Sequence, residues 1–285
     1  MLGVMFLIVL ALAWIVFANV QDLKSREVAN WLNFSLIIFA LGFRFFYCLF
    51  SQESFAFFYQ GLIGLGIFFI FGNLLYYGRI FAGGDAKLMI ALGAVLPFSE
   101  SFLINTRIFF LFFFIFLFSG AFYGLIVSIV LGLKNFKRFK KEFPRQLRKN
   151  RKMVYLIMFL GLILIVFGFI ENLLFILGIF IIIIPYFYVY AKTIDDVCMV
   201  KKIKTNQLTE GDWLYKDLKI GRKFIKASWE GVNKKQIKEI KKNYKEIKVR
   251  QGIPFTPVFL ISFLVLIYLW GQGLVDILWS LKFLF

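Results

Sequence analysis

Long apolar stretches separated by short polar segments dominate the pattern of the chain. A transmembrane helix needs about 20 consecutive, mostly apolar residues, and the sequence holds stretches that approach this length from one end to the other. They predict an all-α polytopic membrane protein with about eight transmembrane helices. The predicted spans are residues 2–20, 31–50, 55–77, 80–98, 108–133, 153–170, 173–190 and 255–275.

One polar segment, residues 191–252, is long enough to form a small domain of its own. Within it, Asn233-Lys-Lys-Gln236 has the form of a capping box, which predicts a helix over 234–244. The alternating segments 197–203 and 223–229 favour short strands. We therefore predict three parts: a membrane domain over 1–190 that includes an extra hairpin at 153–190, a small α/β cytosolic domain over 191–252, and the last transmembrane helix with the C-terminus over 253–285.

The basic residues predict how the chain is oriented in the bilayer. The net charge is +18, and Lys and Arg concentrate in residues 134–152 and 191–252, which a predicted two-span hairpin separates. Cytoplasmic loops carry an excess of Lys and Arg, so both segments are expected in the cytoplasm and the N-terminus outside. This distribution assigns the charge to topology in a lipid bilayer, and no nucleic-acid partner is expected.

Composition removes several classes of active site. The sequence has no histidine and only two cysteines, Cys48 and Cys198. Catalytic triads that contain histidine, metalloprotease helices and four-cysteine zinc sites are therefore excluded. No metal and no other cofactor is expected, and acid–base chemistry would have to use carboxylates, lysine or tyrosine.

Two aspartates are the candidate catalytic residues. Asp22 follows the first predicted span and Asp85 opens the fourth, which puts both at the cytoplasmic edge of the membrane. Two carboxylates a few ångströms apart share a proton. The ionised one can then take a proton from water while the protonated one donates to a scissile carbonyl. Gly83 and Gly84 lack side chains, which would let a substrate backbone approach Asp85 closely.

The sequence around these aspartates resembles the archaeal prepilin and preflagellin peptidases, which are multi-pass aspartic proteases of the GxGD type. The matching residues are Asp22, Arg26, Val28 and Asn30 after the first span, and Gly84-Asp85-Ala86-Lys87 at the fourth. The stretch Gly252-Ile-Pro254-Phe-Thr-Pro257 before the last span is also similar. Ala82 and Ala29 depart from the usual Gly and Pro of the motifs, and both substitutions concern loop geometry.

Two basic residues are expected to extend towards lipid headgroups. Lys87 recurs in the motif but follows Asp85 by two helical positions, so we expect it to point away and snorkel. Arg44, in the outer half of the second predicted span, is expected to snorkel outward. Asp195, Asp196 and Asp212 in the polar segment are interpreted as turn or cap residues.

The resemblance implies a membrane aspartic endopeptidase that uses an Asp22/Asp85 dyad to activate water. Its partner would be a type IV pilin-like precursor, archaellin or pilin, with a short basic leader and an apolar helix, cut on the cytoplasmic side of the cell membrane. The absence of C-x-x-C pairs argues for peptidase activity alone. Alternatives are a presenilin-like protease, an ion-coupled transporter, or a membrane scaffold of a secretion or pilus apparatus. No oligomeric state is predicted.

Overall fold

The computed structural model describes residues 2–51, 54–221 and 223–275. The described residues up to 124, together with those from 254 onward, form one compact unit, and residues 125–253 form a second. Residues 276–285 of the predicted C-terminal segment lie outside the described residues.

The prediction of a polytopic helical membrane protein is confirmed. Within the described ranges, five helices are long and apolar enough to cross a membrane, and a bent pair, α6 and α7, could add a sixth. The remaining apolar helices, α4 and α10, are shorter than the predicted spans. The helices are α1 (Leu2–Ser25), α2 (Asn30–Phe50), α3 (Ala56–Tyr77), α4 (Gly83–Gly93), α5 (Phe102–Lys134), α6 (Phe136–Lys149), α7 (Arg151–Phe167), α8 (Asn172–Ile194), α9 (Lys234–Asn243) and α10 (Thr256–Gly271).

Helix α4 is only 11 residues long, which differs from the span of nearly 20 predicted there. Its C-terminal end leads into Leu96-Pro97, and the residue before a proline disfavours helical backbone. Glycines bring α4 against α3: a Cβ atom added at Gly93 would lie 2.6 Å from the carbonyl oxygen of Gly64. Close backbone approach of this kind is typical of helices packed in membranes.

Arg44 of α2 fixes the end of α4, and the prediction that it snorkels outward is wrong. Its side chain is fully buried. Nε donates to the carbonyl of Ala94 at 2.9 Å, Nη1 donates to Phe57 at 2.8 Å, and Nη2 donates to Val95 and Pro97. The guanidinium also lies 4.3 Å from the centre of the Phe57 ring. Ala94, Val95 and Pro97 follow the last residue of α4, where carbonyl groups lack partners within the helix, so the guanidinium of Arg44 takes the place of water there.

The second unit contains a helical hairpin. Helices α7 and α8 pack closely where a Cβ atom at Gly161 would lie 3.0 Å from the carbonyl oxygen of Gly178. Helix α6 precedes α7 at a bend of 73°. The segment 134–152, which was interpreted from sequence as a basic loop, is thus largely helical.

A small α/β arrangement follows α8. The strands are β1 (Val200–Lys204), β2 (Trp213–Leu214), β3 (Leu218–Ile220), β4 (Lys223–Ile225) and β5 (Glu246–Arg250). Strand β5 lies between β1 and β2 in an antiparallel sheet, and β3 pairs with β4. The predicted capping box is confirmed: the Asn233 side chain accepts from Gln236 N–H, and the Gln236 side chain accepts from Asn233 N–H.

Candidate active site

Asp22 lies in the last two turns of α1, on the face that packs into the unit. The buried positions Ala11, Ile15 and Ala18 precede it at helical spacing, so the same stripe that anchors α1 carries the carboxylate inward. Asp22 is only 7% exposed. A carboxylate so buried needs hydrogen-bond donors, since an unpaired buried charge is strongly destabilising.

The donors come from Thr256, the first residue of α10. The Thr256 backbone N–H donates to Asp22 Oδ2 at 3.1 Å, and the Thr256 hydroxyl lies 3.0 Å from the same oxygen. The free N–H groups at a helix N-terminus carry partial positive charge, which favours a carboxylate there. Asp22 therefore joins the end of α1 to the start of α10.

The Thr256 hydroxyl also lies 3.0 Å from Asn19 Oδ1. A hydroxyl has a single proton, so it can donate to only one of these two acceptors at a time. With Asp22 ionised, the hydroxyl can donate to the carboxylate. With Asp22 protonated, the carboxyl can donate to the hydroxyl oxygen, which then donates to Asn19. Thr256 can thus form a hydrogen bond with Asp22 in either protonation state of Asp22, without a change in backbone conformation.

Asp85 is the third residue of α4, whose N-cap is Ala82. The Asp85 carboxyl is within hydrogen-bonding reach of the Ala82 backbone N–H, as an acid at this position of a helix start often is. It is partly exposed, whereas Asp22 is buried. Both aspartates belong to the same compact unit, and the hydrogen bond from Lys87 to Asn30 joins the start of α4 to the turn that follows Asp22.

Neither glycine of the motif is required by the packing of the chain itself. A Cβ atom added at Gly84 would lie 3.5 Å from the Val28 side chain, and one at Gly83 would lie 3.8 Å from the Tyr76 ring. Both are ordinary van der Waals distances, and neither glycine has a positive φ. A Cβ atom at either position would therefore fit in ordinary contact with the neighbouring side chain.

Lys87 does not extend away as predicted. Its Nζ donates to Asn30 Oδ1 at 2.6 Å, which joins α4 to the first residue of α2. Lys87 pairs with Asn30 rather than with a lipid headgroup, because the α1–α2 turn brings Asn30 within reach of Lys87. The Ala29 N–H donates to Gln21 Oε1 at 3.0 Å and holds this turn against α1.

Tyr123 of α5 is a further polar neighbour that the sequence did not indicate. Its hydroxyl donates to the carbonyl oxygen of Pro254 at 2.8 Å, two residues before Thr256. Tyr123 also lies close enough to Asp22 to sense its charge. Asn19 and Thr256 were likewise missed as site residues, although Thr256 lies within the Gly252–Pro257 stretch that carried part of the resemblance.

The other aspartates singled out in the sequence have partners in the second unit. Asp195 forms an ion pair with Arg250 at 3.0 Å. Asp196 accepts from Gln146 at 2.9 Å, and Asp212 accepts from the Thr209 N–H at 2.8 Å. Across the described ranges, no group of three or more cysteine or acidic side chains is arranged to hold a metal ion.

Comparison with known proteins gives similarity over the first membrane unit. Residues 9–129 match the family model described as the type IV leader peptidase family. The chain is 32% identical over 80 residues to the preflagellin peptidase of Methanocaldococcus jannaschii, which covers 28% of this chain and 33% of that protein. It is 31% identical over 83 residues to the preflagellin peptidase of Methanococcus maripaludis, and this match covers 29% of this chain and 35% of that protein. The chain thus spans about a third of the curated relatives it matches. No solved structure matches it.

Proposed function

Because residues 9–129 match the model of the type IV leader peptidase family, we propose that the chain is a member of that family and acts as a membrane aspartic endopeptidase. Its substrate is a type IV pilin-like precursor, archaellin or pilin, with a short basic leader before an apolar helix. The observation that carries the proposal is the placement of Asp22 and Asp85 in one unit. The Lys87–Asn30 hydrogen bond and the position of Gly84 beside Val28 hold the start of α4 against the turn that follows Asp22. Two proteins to which part of the chain is similar are both named preflagellin peptidases.

The surroundings of the two carboxyl groups support different roles. Asp22 is buried and receives the Thr256 N–H, and it can also receive the Thr256 hydroxyl. Because Asp22 is placed as a hydrogen-bond acceptor, we assign it as the base that takes a proton from water. We assign the more exposed Asp85 as the acid that protonates the scissile carbonyl oxygen.

The reaction then needs no group beyond these residues and water. The water oxygen bonds to the carbonyl carbon as Asp22 takes a water proton and Asp85 gives its proton to the carbonyl oxygen. Asp22 then returns its proton to the amide nitrogen, and Asp85 takes a proton back from the diol as the carbon–nitrogen bond breaks. The leader's new carboxylic acid loses its remaining proton to water, which leaves a carboxylate on the leader and an amine on the mature protein. Gly83 and Gly84 carry no side chains, so an extended substrate backbone can approach Asp85 closely.

The side of the membrane follows from the charge pattern. The basic segments 134–152 and 191–252 favour the cytoplasm, and the ends of α1 and α4 that carry the aspartates are then at the cytoplasmic edge. A precursor inserted by its apolar helix presents its leader junction at that depth. This explains why the dyad lies at helix ends rather than at the middle of a span.

The test is cleavage of a pilin-like precursor by the purified full chain in detergent, followed as a gel shift. Asp22→Asn and Asp85→Asn should each abolish cleavage, since asparagine keeps the shape of the side chain but cannot exchange the proton. Asp195→Asn and Asp212→Asn are matched controls and should remain within a few-fold of wild type. Wild-type chain that leaves every such precursor intact, or an aspartate variant that cuts normally, would refute the proposal.

A further inference from the structure

A groove lies between α2, α3 and α4, with a volume of about 660 Å³. That volume falls in the range of roughly 300–1,000 Å³ typical of ligand sites. Its lining is mostly apolar, with Asn33, Asn73 and Lys87 as the polar side chains. Gly83 also lines it, so the groove extends to the residues that flank Asp85.

Asn33 gives the groove an unsatisfied polar group. Its side chain is 1% exposed, and neither Nδ2 nor Oδ1 has a hydrogen-bond partner among the described residues. A buried amide without partners is destabilising, and buried polar groups in proteins are nearly always paired. The most direct explanation is that a bound molecule supplies both an acceptor and a donor.

The position of Asn33 indicates which molecule binds in the groove. Asn33 lies one turn along α2 from Asn30, which binds Lys87 two residues after Asp85. A lipid acyl chain would fill the apolar wall but has no group to pair with an amide. A helix that begins beside Asp85 does have such groups, because the first four N–H groups of any helix lack partners within it.

We propose that this groove binds the first turns of the precursor's apolar helix, immediately after the scissile bond. The Asn33 amide atoms lie beneath the surface of the groove. When the precursor binds, this side chain turns into the groove, where Oδ1 accepts from a free N–H of that first turn and Nδ2 donates to a carbonyl at the leader junction. Gly66 leaves room for the helix, since a Cβ atom there would meet nothing within 4 Å. The inference rests on the proposed peptidase function and names where its substrate lies.

Filling the groove tests the proposal. Gly66→Trp should lower kcat/KM for the precursor at least tenfold, mainly through KM, because the indole occupies the space meant for substrate. Gly42→Trp is the matched control: it is also a glycine of a spanning helix with nothing within 4 Å, but it does not line the groove. Equal cleavage by the Gly66→Trp and Gly42→Trp variants would overturn the proposal.

Asn33→Leu supplies a second readout that a purely structural role would not give. Leucine branches at the same atom, has the same number of heavy atoms and removes the unpaired amide, so the melting temperature in detergent should stay the same or rise while cleavage falls at least tenfold. A fall in melting temperature that accompanies the loss of cleavage would indicate a structural role and count against the proposal. Unchanged cleavage would also count against it.

Crosslinking separates this inference from the peptidase proposal. A photoreactive benzoylphenylalanine at position 66, in the Asp85→Asn background, should crosslink to the apolar segment of the precursor, and one at position 42 should not. If wild-type chain cuts the precursor but position 66 captures only lipid, the groove inference fails alone. If no precursor is cut, the peptidase proposal fails, and the crosslink still decides whether the groove accepts an apolar helix.

Discussion

Replacing Thr256 with valine removes one hydroxyl from the candidate site and little else. Threonine and valine have nearly the same shape, and the backbone N–H that donates to Asp22 at 3.1 Å is retained. The hydroxyl that is lost lies 3.0 Å from both Asp22 Oδ2 and Asn19 Oδ1. The variant therefore tests whether Thr256 stabilises the ionised form of Asp22 during the reaction.

The size of the effect follows from the strength of that hydrogen bond. A hydrogen bond to a charged group contributes about 1.5–3 kcal/mol, and each 1.36 kcal/mol corresponds to about a tenfold change in rate. Because the N–H still supports Asp22, we expect Thr256→Val to lower kcat by about 10- to 100-fold. The variant should also be less stable, since Asn19 Oδ1 loses its donor in a buried position.

The measurement is single-turnover cleavage of a precursor by wild type, Thr256→Val and Thr256→Ser, with the melting temperature recorded for each. Serine keeps the hydroxyl and should remain within a few-fold of wild type. A valine variant that cuts at the wild-type rate would refute a role for the hydroxyl. A serine variant that is as slow as valine would show that the methyl group, through packing, is what matters.

Three further outcomes are expected. Arg44→Met should yield little folded protein by size-exclusion chromatography, because it removes the donor to four buried carbonyl groups; a normal melting temperature would contradict this. Lys87→Met should slow cleavage by less than tenfold, because its bond to Asn30 is partly exposed to solvent; complete loss would assign Lys87 a larger role. In a chain without its native cysteines, Val200→Cys should be labelled from the cytoplasm and Glu171→Cys from outside, and the reverse pattern would overturn the orientation.

Sequence patterns predicted the helical membrane class because the apolar stretches need no knowledge of tertiary contacts. They also predicted the start of α9, where Asn233 and Gln236 satisfy each other's backbone locally. The helical character of α6 was present in the spacing of Phe136, Phe139 and Phe143, but the dense charge of the segment outweighed it. Strand β5 was not predicted, because its segment is also rich in charge and only Ile247 and Val249 are apolar positions that alternate with polar ones.

The features that sequence could not predict all depend on contacts between distant residues. The hydropathy of residues 80–98 predicted a full span where the shorter α4 lies. The hydropathy pattern does not reveal that Arg44 donates to carbonyl groups 50 or more residues away, beyond the end of α4. The pairing of Thr256 with Asp22 joins positions 234 residues apart. Asp22 and Asp85 themselves were proposed as a pair from resemblance and topology, and their catalytic role stays a prediction.

The most direct test of the Asp22/Asp85 dyad compares three variants in one precursor-cleavage assay: Asp22→Asn, Asp85→Asn and the double variant. Members of a catalytic unit lose most of the rate when either is removed, so their effects are not additive. The dyad predicts that the double variant is no slower than either single variant, with all three inserted and folded. Two partial losses that multiply in the double variant, or near-normal cleavage by either single variant, would contradict a shared-proton mechanism.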